Sequence, residues 1–247
     1  MITDPSQKRA PHRPSQPAQQ LQPCVDGPLA SLGRHATTVR LRQRQILTFT
    51  NGQLDSVFVV QSGLLALQAV LPGKPRQILA LHYAGDVIGC ARPPPLPHAA
   101  LCAMAPTDLW RLPKSTFEQL LGDDPSLCMH VGGHIAKQEA RALLHTAMIG
   151  GLSGEERATS FLIEQGLHSG IPSARGMSFD MHLSRNDIAD YLALNADTLS
   201  RIMSRLKTRG LVAQMGRTRA VVPNWDALCA ESPIADTLSA LHASSQD

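Results

Sequence analysis

The chain has 247 residues, 43% of them hydrophobic, enough to bury two modest cores, so two domains are expected. Lys and Arg (23) barely outnumber Asp and Glu (20), for a net charge of +3, so the chain is only mildly basic. No apolar run approaches about 18 residues and the N-terminus lacks a signal-peptide core, so the expectation is a soluble, cytoplasmic protein without a membrane partner.

Residues 1–26 hold five prolines and five glutamines beside Lys8, Arg9 and Arg13, and read as a disordered basic arm. From about Val39 to Leu112 the texture changes to short β-type runs broken by Gly and Pro. Ser56 to Gln61 precedes Gly63, Leu64 to Val70 precedes a Pro72-Gly73 turn, Arg76 to His82 follows, and Gly85-Asp86 turns into Val87 and Ile88. Runs so short and so evenly punctuated predict a small antiparallel β-barrel within residues 27–122. Lys114 to Leu121 reads as helix. A longer helix, about Pro125 to Ile149 in a segment 123–150, passes Leu127, Val131, Ile135, Gln138, Ala142, His145 and Ile149 at alternating spacings of 3 and 4. That stripe fits a coiled-coil seam between two copies, and burial against the chain's own barrel would produce the same stripe. Gly132 and Gly133 interrupt it, each costing about 1 kcal/mol relative to Ala.

Within residues 151–228 the segment Leu183 to Gly210 contains two short helical patterns joined by a tight turn. Ser184 and Asp187 form a capping box for the first, in which Ile188 and Leu192 stack. Asn195 caps the second, and Asp197 sits in its first turn, where a carboxylate favours the helix dipole. Leu199, Ile202, Met203 and Leu206 put one face into a core, and Gly210 stops the helix. The opposite face presents Asp197, Ser200, Arg201 and Ser204, with Arg205, Lys207 and Arg209 at its far end.

Those residue types suit base reading. An arginine donates two parallel hydrogen bonds to guanine O6 and N7, a carboxylate accepts from cytosine N4, and a serine hydroxyl takes either role. Asp197, Ser200 and Arg201 lie close enough along one helix to reach adjacent base pairs, and they are the candidate base readers. Leu211 to Met215, a Gly216-Arg217 turn and Thr218 to Val222 read as a two-stranded wing. Ser184, Arg185, Thr198, Ser204, Arg205 and Lys207, with Arg217 and Arg219 of the wing, are the candidate phosphate contacts. Between residues 175 and 219 eight Arg or Lys stand against four Asp, a local charge of +4 that exceeds the charge of the whole chain. The same pattern would also serve a helical hairpin with a solvated charged face. The tail 229–247 allows a short helix through Ile234, Leu238 and Leu241, with no role assigned.

The order of barrel, long helix and winged helix, over roughly residues 30 to 228, resembles the Crp/Fnr family of bacterial transcription regulators. The motifs that carry the resemblance are Asp187-Ile188-Ala189-Asp190-Tyr191-Leu192, Asp197-Thr198-Leu199-Ser200-Arg201 and Glu155-Glu156-Arg157-Ala158 before Phe161-Leu162. In the other half they are Val57-Phe58-Val59-Val60-Gln61-Ser62-Gly63 and Ala84-Gly85-Asp86-Val87-Ile88-Gly89. The resemblance implies an α+β fold: a cyclic-nucleotide-binding-like jelly roll, a dimerisation helix and a C-terminal winged helix-turn-helix. It further implies a homodimer that sets one recognition helix per subunit into successive major grooves of palindromic double-stranded DNA and recruits or blocks RNA polymerase.

Departures from the family narrow the sensor. Cyclic-AMP-binding relatives place a Glu shortly after the Gly-Asp-x-x-Gly stretch and an Arg-Ser or Arg-Thr pair further on. Here Cys90 follows Gly89, and His98-Ala99 comes after Pro93-Pro94-Pro95. A buried cyclic phosphate would lack its countercharge, so no tight cyclic AMP binding is expected. The five cysteines, Cys24, Cys90, Cys102, Cys128 and Cys229, are scattered without a C-x-x-C pair. Only Cys24 lies where Fnr proteins carry three cluster ligands, and Trp110 falls where the fourth would be, so no iron–sulfur cluster is expected.

What remains resembles the FixK and Nnr/Dnr-like branches, which imply either no cofactor or nitric oxide sensing through haem. No cofactor is predicted and haem stays open, with His82 and His98 as candidate ligands. His130 and His134, four apart on the long helix, could share a metal, but none is assigned. Cys90 and Cys102 read as free buried thiols, with redox sensitivity open. The family's usual Gly in the helix-turn-helix turn is Ala193, and its usual Glu at the first reading position is Asp197.

A TTGAT-like palindrome with Arg201 on a guanine is the site the resemblance implies, in a low-oxygen or nitrogen-oxide response. The alternative is a haem- or redox-sensing ligand-binding module with DNA binding as its output. No Ser/His/Asp set, phosphate-cradling Gly loop or H-E-x-x-H is present, so no catalytic residue is assigned and no enzyme is expected.

Overall fold

The computed structural model describes residues 25, 27–48, 56–89, 99–215 and 219–242. The segment read as a disordered arm lies outside the described residues apart from Val25, as do Cys90 and His98. After a 3-10 helix, Gly27–Arg34, come β1 (Thr37–Leu41), β2 (Ile46–Thr48), β3 (Ser56–Ser62), β4 (Leu65–Val70), β5 (Arg76–His82), β6 (Val87–Ile88), β7 (Ala100–Ala103) and β8 (Thr107–Pro113). They pair antiparallel in two sheets, ordered β1-β8-β3-β6 and β2-β7-β4-β5. No ladder joins the sheets among the described residues. The expected small antiparallel barrel is present in its jelly-roll form, two sheets packed face to face and not closed into one ladder among the described residues.

Alternation along the strands explains the layering. In β3, Phe58 and Val60 point between the sheets with Leu41, Leu65, Leu101, Ala103 and Leu109. Val57 and Val59 point the other way, against the 3-10 helix and the helices that follow the sheets. The run is apolar on both faces because both faces are covered. In β7, Leu101 and Ala103 join the inter-sheet core, while Cys102 joins a larger core built mostly by the C-terminal half. Gly63, at φ +92, makes the β3–β4 turn, where an added Cβ would lie 2.5 Å from the Pro106 carbonyl oxygen.

Helix α1 spans Lys114–Asp123 and α2 spans Pro125–Gly151. Asp124 starts α2 by accepting from the backbone N–H groups of Ser126 and Leu127, with Pro125 in the first turn. Leu127, Val131, His145 and Met148 are buried, and Ile135, Gln138, Ala142 and Ile149 are half-buried. The stripe proposed as a seam between copies is therefore packed against the chain's own elements. The opposite side of α2 exposes Met129 (78% exposed), Gly132, Ala136, Leu143 (71%), Ala147 and Gly150, at spacings of 3, 4, 7, 4 and 3.

The C-terminal half comprises α3 (Gly154–Ser169), β9 (Ile171–Ser173), β10 (Gly176–Asp180), α4 (Arg185–Tyr191), α5 (Ala196–Thr208), β11 (Gln214–Met215), β12 (Arg219–Val222), α6 (Trp225–Cys229) and α7 (Ala235–His242). The wing is wider than expected, a sheet ordered β11-β12-β10-β9. Phe161, Leu162, Phe179, Ile188, Leu192, Leu199, Ile202, Leu206, Val222 and Leu228 fill its core, continuous with Leu64, Ala66, Ile78, Leu81 and Met104 of the sheets. Among the described residues no helix is long and apolar enough to cross a membrane.

Candidate nucleic-acid interface

Local chemistry builds the helix-turn-helix as the sequence predicts. The Ser184 hydroxyl accepts from the Asp187 backbone N–H at 3.2 Å, and the Asp187 carboxylate accepts in return from the Ser184 N–H at 2.9 Å. The turn closes with Leu194 N–H donating to the Ala189 carbonyl at 2.9 Å, and Ala193 sits there at φ +50. A residue with a Cβ in this left-handed region costs about 1 kcal/mol. The Asn195 side chain accepts from the Thr198 N–H at 2.7 Å and starts α5. Leu199, Ile202 and Leu206 are buried and Met203 half-buried.

That anchoring turns the other face outward. Asp197 and Arg201 are exposed and Ser200 is half-buried. Neither the Asp197 carboxylate nor the Arg201 guanidinium has a hydrogen-bond or ion-pair partner among the described residues, and the same holds for the exposed Arg185 and Lys207. The spacing of four residues between Asp197 and Arg201 corresponds to about 6 Å of helix rise, within reach of neighbouring base pairs. The trio is thus brought together on one open face.

The candidate phosphate contacts divide. Arg185 and Lys207 are exposed and unpaired among the described residues. Arg205 approaches Glu155 at 3.3 Å, and Arg209 bridges Glu155 at 2.7 Å and Glu231 at 2.6 Å, so this end of α5 is tied back to its own domain. Arg219 donates to the Ser178 hydroxyl across the wing. The Ser204 hydroxyl donates to the Ser200 carbonyl, and that of Ser184 to the Asp187 carboxylate. Thr198 is half-buried, and Arg217 lies outside the described residues.

Beneath this face lies a polar junction that the sequence reading missed. The Asp187 side chain is 1% exposed and accepts from Arg44, at the β1–β2 turn, and from Arg76, on β5. Burial alone would raise its carboxyl, but hydrogen bonds from Arg44, Ser184 and Arg76 hold it far below the ordinary carboxylate range. Deeper in, the buried Glu164 of α3 accepts from the Tyr83 hydroxyl at 2.7 Å and the Tyr191 hydroxyl at 3.0 Å. Burial pushes the Glu164 carboxyl up. Arg141 of α2 pairs with Asp86 and lies 5.6 Å from the Tyr83 ring centre. His168 stacks on Tyr83 at 3.4 Å and meets His242 of α7 at 2.5 Å. His145 stacks on Tyr191 and contacts its carbonyl oxygen at 2.8 Å. A glutamate directly after the apolar run Phe161 to Ile163 was the available signal, and it names no partner.

The cofactor candidates are placed as follows. His130 and His134 bring their Nε2 atoms to 3.3 Å, yet among the described residues no group of three or more His, Cys, Asp or Glu could hold a metal ion. His82 faces Asp86 at 3.5 Å, and Trp110 packs with Leu29, Leu32 and Phe117. A cleft of about 370 Å³ opens between the β4–β5 pair and α2, lined by Leu67, Gln77, Leu79, His145, Thr146 and Ile149 among others. Its lining has no cationic side chain to meet a phosphate, and Arg141 on the same helix is committed to Asp86. The stretch from Cys90 to His98, where the sequence reading looked for a phosphate partner, lies outside the described residues.

Comparison with known proteins agrees with this geometry. Residues 38–124 match the cyclic nucleotide-binding domain and residues 156–231 match the Crp-like helix-turn-helix domain. The chain is 26% identical to a probable transcriptional activator of Rhizobium leguminosarum bv. viciae, covering 82% of this chain and 84% of the relative. It is 28% identical to the nitrogen fixation regulation protein FixK of Azorhizobium caulinodans, covering 70% of each. The structure of FixK2 from Bradyrhizobium japonicum superposes with a TM-score of 0.70 at 27% identity, covering 80% of this chain and 97% of that one. A nucleotide-binding-type jelly roll, a long helix and an open-faced winged helix-turn-helix, matched module by module, make this chain a member of the Crp/Fnr family, a DNA-binding transcription regulator and not an enzyme.

Proposed function

We propose that the chain acts as a homodimer on a palindromic, TTGAT-like double-stranded DNA site, with Asp197, Ser200 and Arg201 reading bases and Arg185 and Lys207 on phosphates. The observation that carries this reading is the exposed α5 face, whose acid and guanidinium have no partner among the described residues. Buried or paired, they would be spent; free, they are available to base edges. The exposed α2 stripe of Met129, Gly132, Ala136, Leu143, Ala147 and Gly150 supplies the seam for a second copy, in place of the stripe buried against the sheets. Regulation through RNA polymerase in the cytoplasm, in a low-oxygen or nitrogen-oxide response, completes the reading, and the likeness to a regulator named for nitrogen fixation supports the nitrogen-linked part of it. The division into a sensor, 27–122, a dimerisation helix, 123–150, and a DNA-binding domain, 151–228, belongs to the same reading.

No cyclic AMP and no iron–sulfur cluster take part. The uncharged cleft lining supports the first, and the single N-terminal cysteine supports the second. Burial pushes the Cys102 thiol up, which disfavours a reactive thiolate there. Selection of bound sequences from a random DNA pool, with and without oxygen, tests the reading. An enriched palindrome whose half-sites lie about 34 Å apart supports it, and absence of any enriched sequence sinks it. Leu143→Glu is expected to convert the dimer to a folded monomer in sedimentation, because the leucine supports no intramolecular core.

A further inference from the structure

We propose that Arg44 and Arg76 form a latch on the first helix of the helix-turn-helix, and that the latched posture is the one competent for DNA. The inference rests on the DNA-reading proposal and adds the device that sets its posture. Arg44 embraces Asp187 with two bonds, Nη1 to Oδ1 at 2.9 Å and Nη2 to Oδ2 at 2.5 Å. Arg76 reaches the same carboxylate at 2.6 Å, holds Asp190 through Nε at 2.9 Å and Nη2 at 2.5 Å, and is steadied by the Gln68 amide oxygen at 3.2 Å. Two guanidinium forks from two separate parts of the sheets thus converge on one helix of seven residues.

Backbone geometry supports a purpose for this contact. Arg44 is one of two non-glycine residues at positive φ among the described residues, at +71. Its N–H donates to the Ala103 carbonyl at 2.7 Å, and the neighbouring Gln43 amide donates to the Met104 carbonyl at 2.8 Å. The turn accepts a left-handed residue and in doing so aims that side chain at α4.

Electrostatics fixes the direction of the effect. In the latched state Asp197 and Arg201 are exposed and Ser200 is half-buried, so the latch leaves the reading surface open. The first helix of a helix-turn-helix crosses the phosphate backbone. Released from Arg44 and Arg76, α4 would carry two uncompensated carboxylates, Asp187 and Asp190, close to its DNA-facing N-terminus at Ser184 and Arg185. Like charges would then oppose each other where attraction is needed.

The test uses the full chain with Arg44→Gln and Arg76→Gln, singly and together, and Arg76→Lys, which keeps the charge but loses the fork. Affinity for the selected site is read by fluorescence anisotropy at fixed salt, and amide exchange of α4 and of residues 152–154 is read without DNA. The double variant is expected to lose about tenfold in affinity, close to 1.4 kcal/mol, and to exchange faster in α4. Arg76→Lys is expected to fall between it and the parent, and it carries the test if the double variant does not fold. Parental affinity in all the variants overturns the latch, as does tighter binding, which would make the contact inhibitory. Unchanged α4 exchange overturns it whether or not DNA binds, whereas a parent chain that selects no sequence sinks the DNA reading instead.

Discussion

The outer face of α5 and the junction beneath α4 use the same pairing of acid and arginine under opposite conditions. On α5, Asp197 and Arg201 are exposed and have no partner among the described residues. Below α4, Asp187 is sealed from solvent and saturated by two arginines and a capping hydroxyl. An exposed charge costs little to leave idle and stays available to a ligand. A desolvated one must be matched from within, so it binds parts of the molecule to each other. Charge alone therefore does not single out a ligand surface: Arg44, Arg76, Arg205, Arg209 and Arg219 are committed internally, and among the described residues Arg185 and Arg201 are not, which is why the proposed DNA contacts are drawn from the latter.

Several substitutions sharpen or break that contrast. The largest effect is expected from Asp187→Ala, which leaves Arg44 without its anion, leaves Arg76 with Asp190 alone, and removes the Asp187 half of the α4 capping box. Urea unfolding is expected to show a loss of about 3–5 kcal/mol, and a loss below about 1 kcal/mol would mean the junction contributes little. Acid should act on the same region through its histidines. Burial, followed by the charge of Arg141, pushes His242 down to about 3, and burial holds His168 well below its ordinary value. Both stay neutral when folded and take up protons when unfolded, so their contribution is complete above about pH 6.5 and is lost as pH falls toward the folded values. The slope is at most about 1.4 kcal/mol per pH unit for each histidine. His242→Asn is expected to flatten that slope, and an unaltered slope would show that the pair titrates alike in both states.

The α5 face should respond in binding and not in stability. Arg201→Ala is expected to cost about 1–3 kcal/mol on the selected site and to relax preference at one symmetric base pair. Unfolding should change by less than about 0.5 kcal/mol. Equal losses on selected and scrambled DNA would remove Arg201 from the base-reading set. The smallest effect belongs to the turn between the helices. Ala193→Gly relieves the left-handed backbone at the expense of unfolded-chain entropy, for a net gain of about 0.5 kcal/mol. A loss in thermal unfolding would show that the alanine methyl contributes packing that outweighs its strain.

What the sequence revealed follows from the range of each interaction. The Ser184–Asp187 box, the Asn195 cap and the apolar quartet of α5 are local, so spacing alone located them. The stripe on α2 was equally visible, but periodicity tells that a face is covered and not by what; the sheets cover it, and the exposed stripe of small residues lies on the other side. Strands β9 and β10 escaped notice because Ile171–Ser173 is exposed throughout and carries no alternation. The second role of Asp187 could not be read at all, since its partners Arg44 and Arg76 stand 143 and 111 residues away. Glu164 was hidden in the same way among apolar neighbours, its tyrosines 81 and 27 residues distant.

Strand β7 has one side in the space between the sheets, through Leu101 and Ala103, and the other in the core shared with the DNA-binding half, through Cys102. It is a party wall. The two rooms are separated by a single strand's thickness. A substitution at any of these three residues therefore alters a wall that both rooms share.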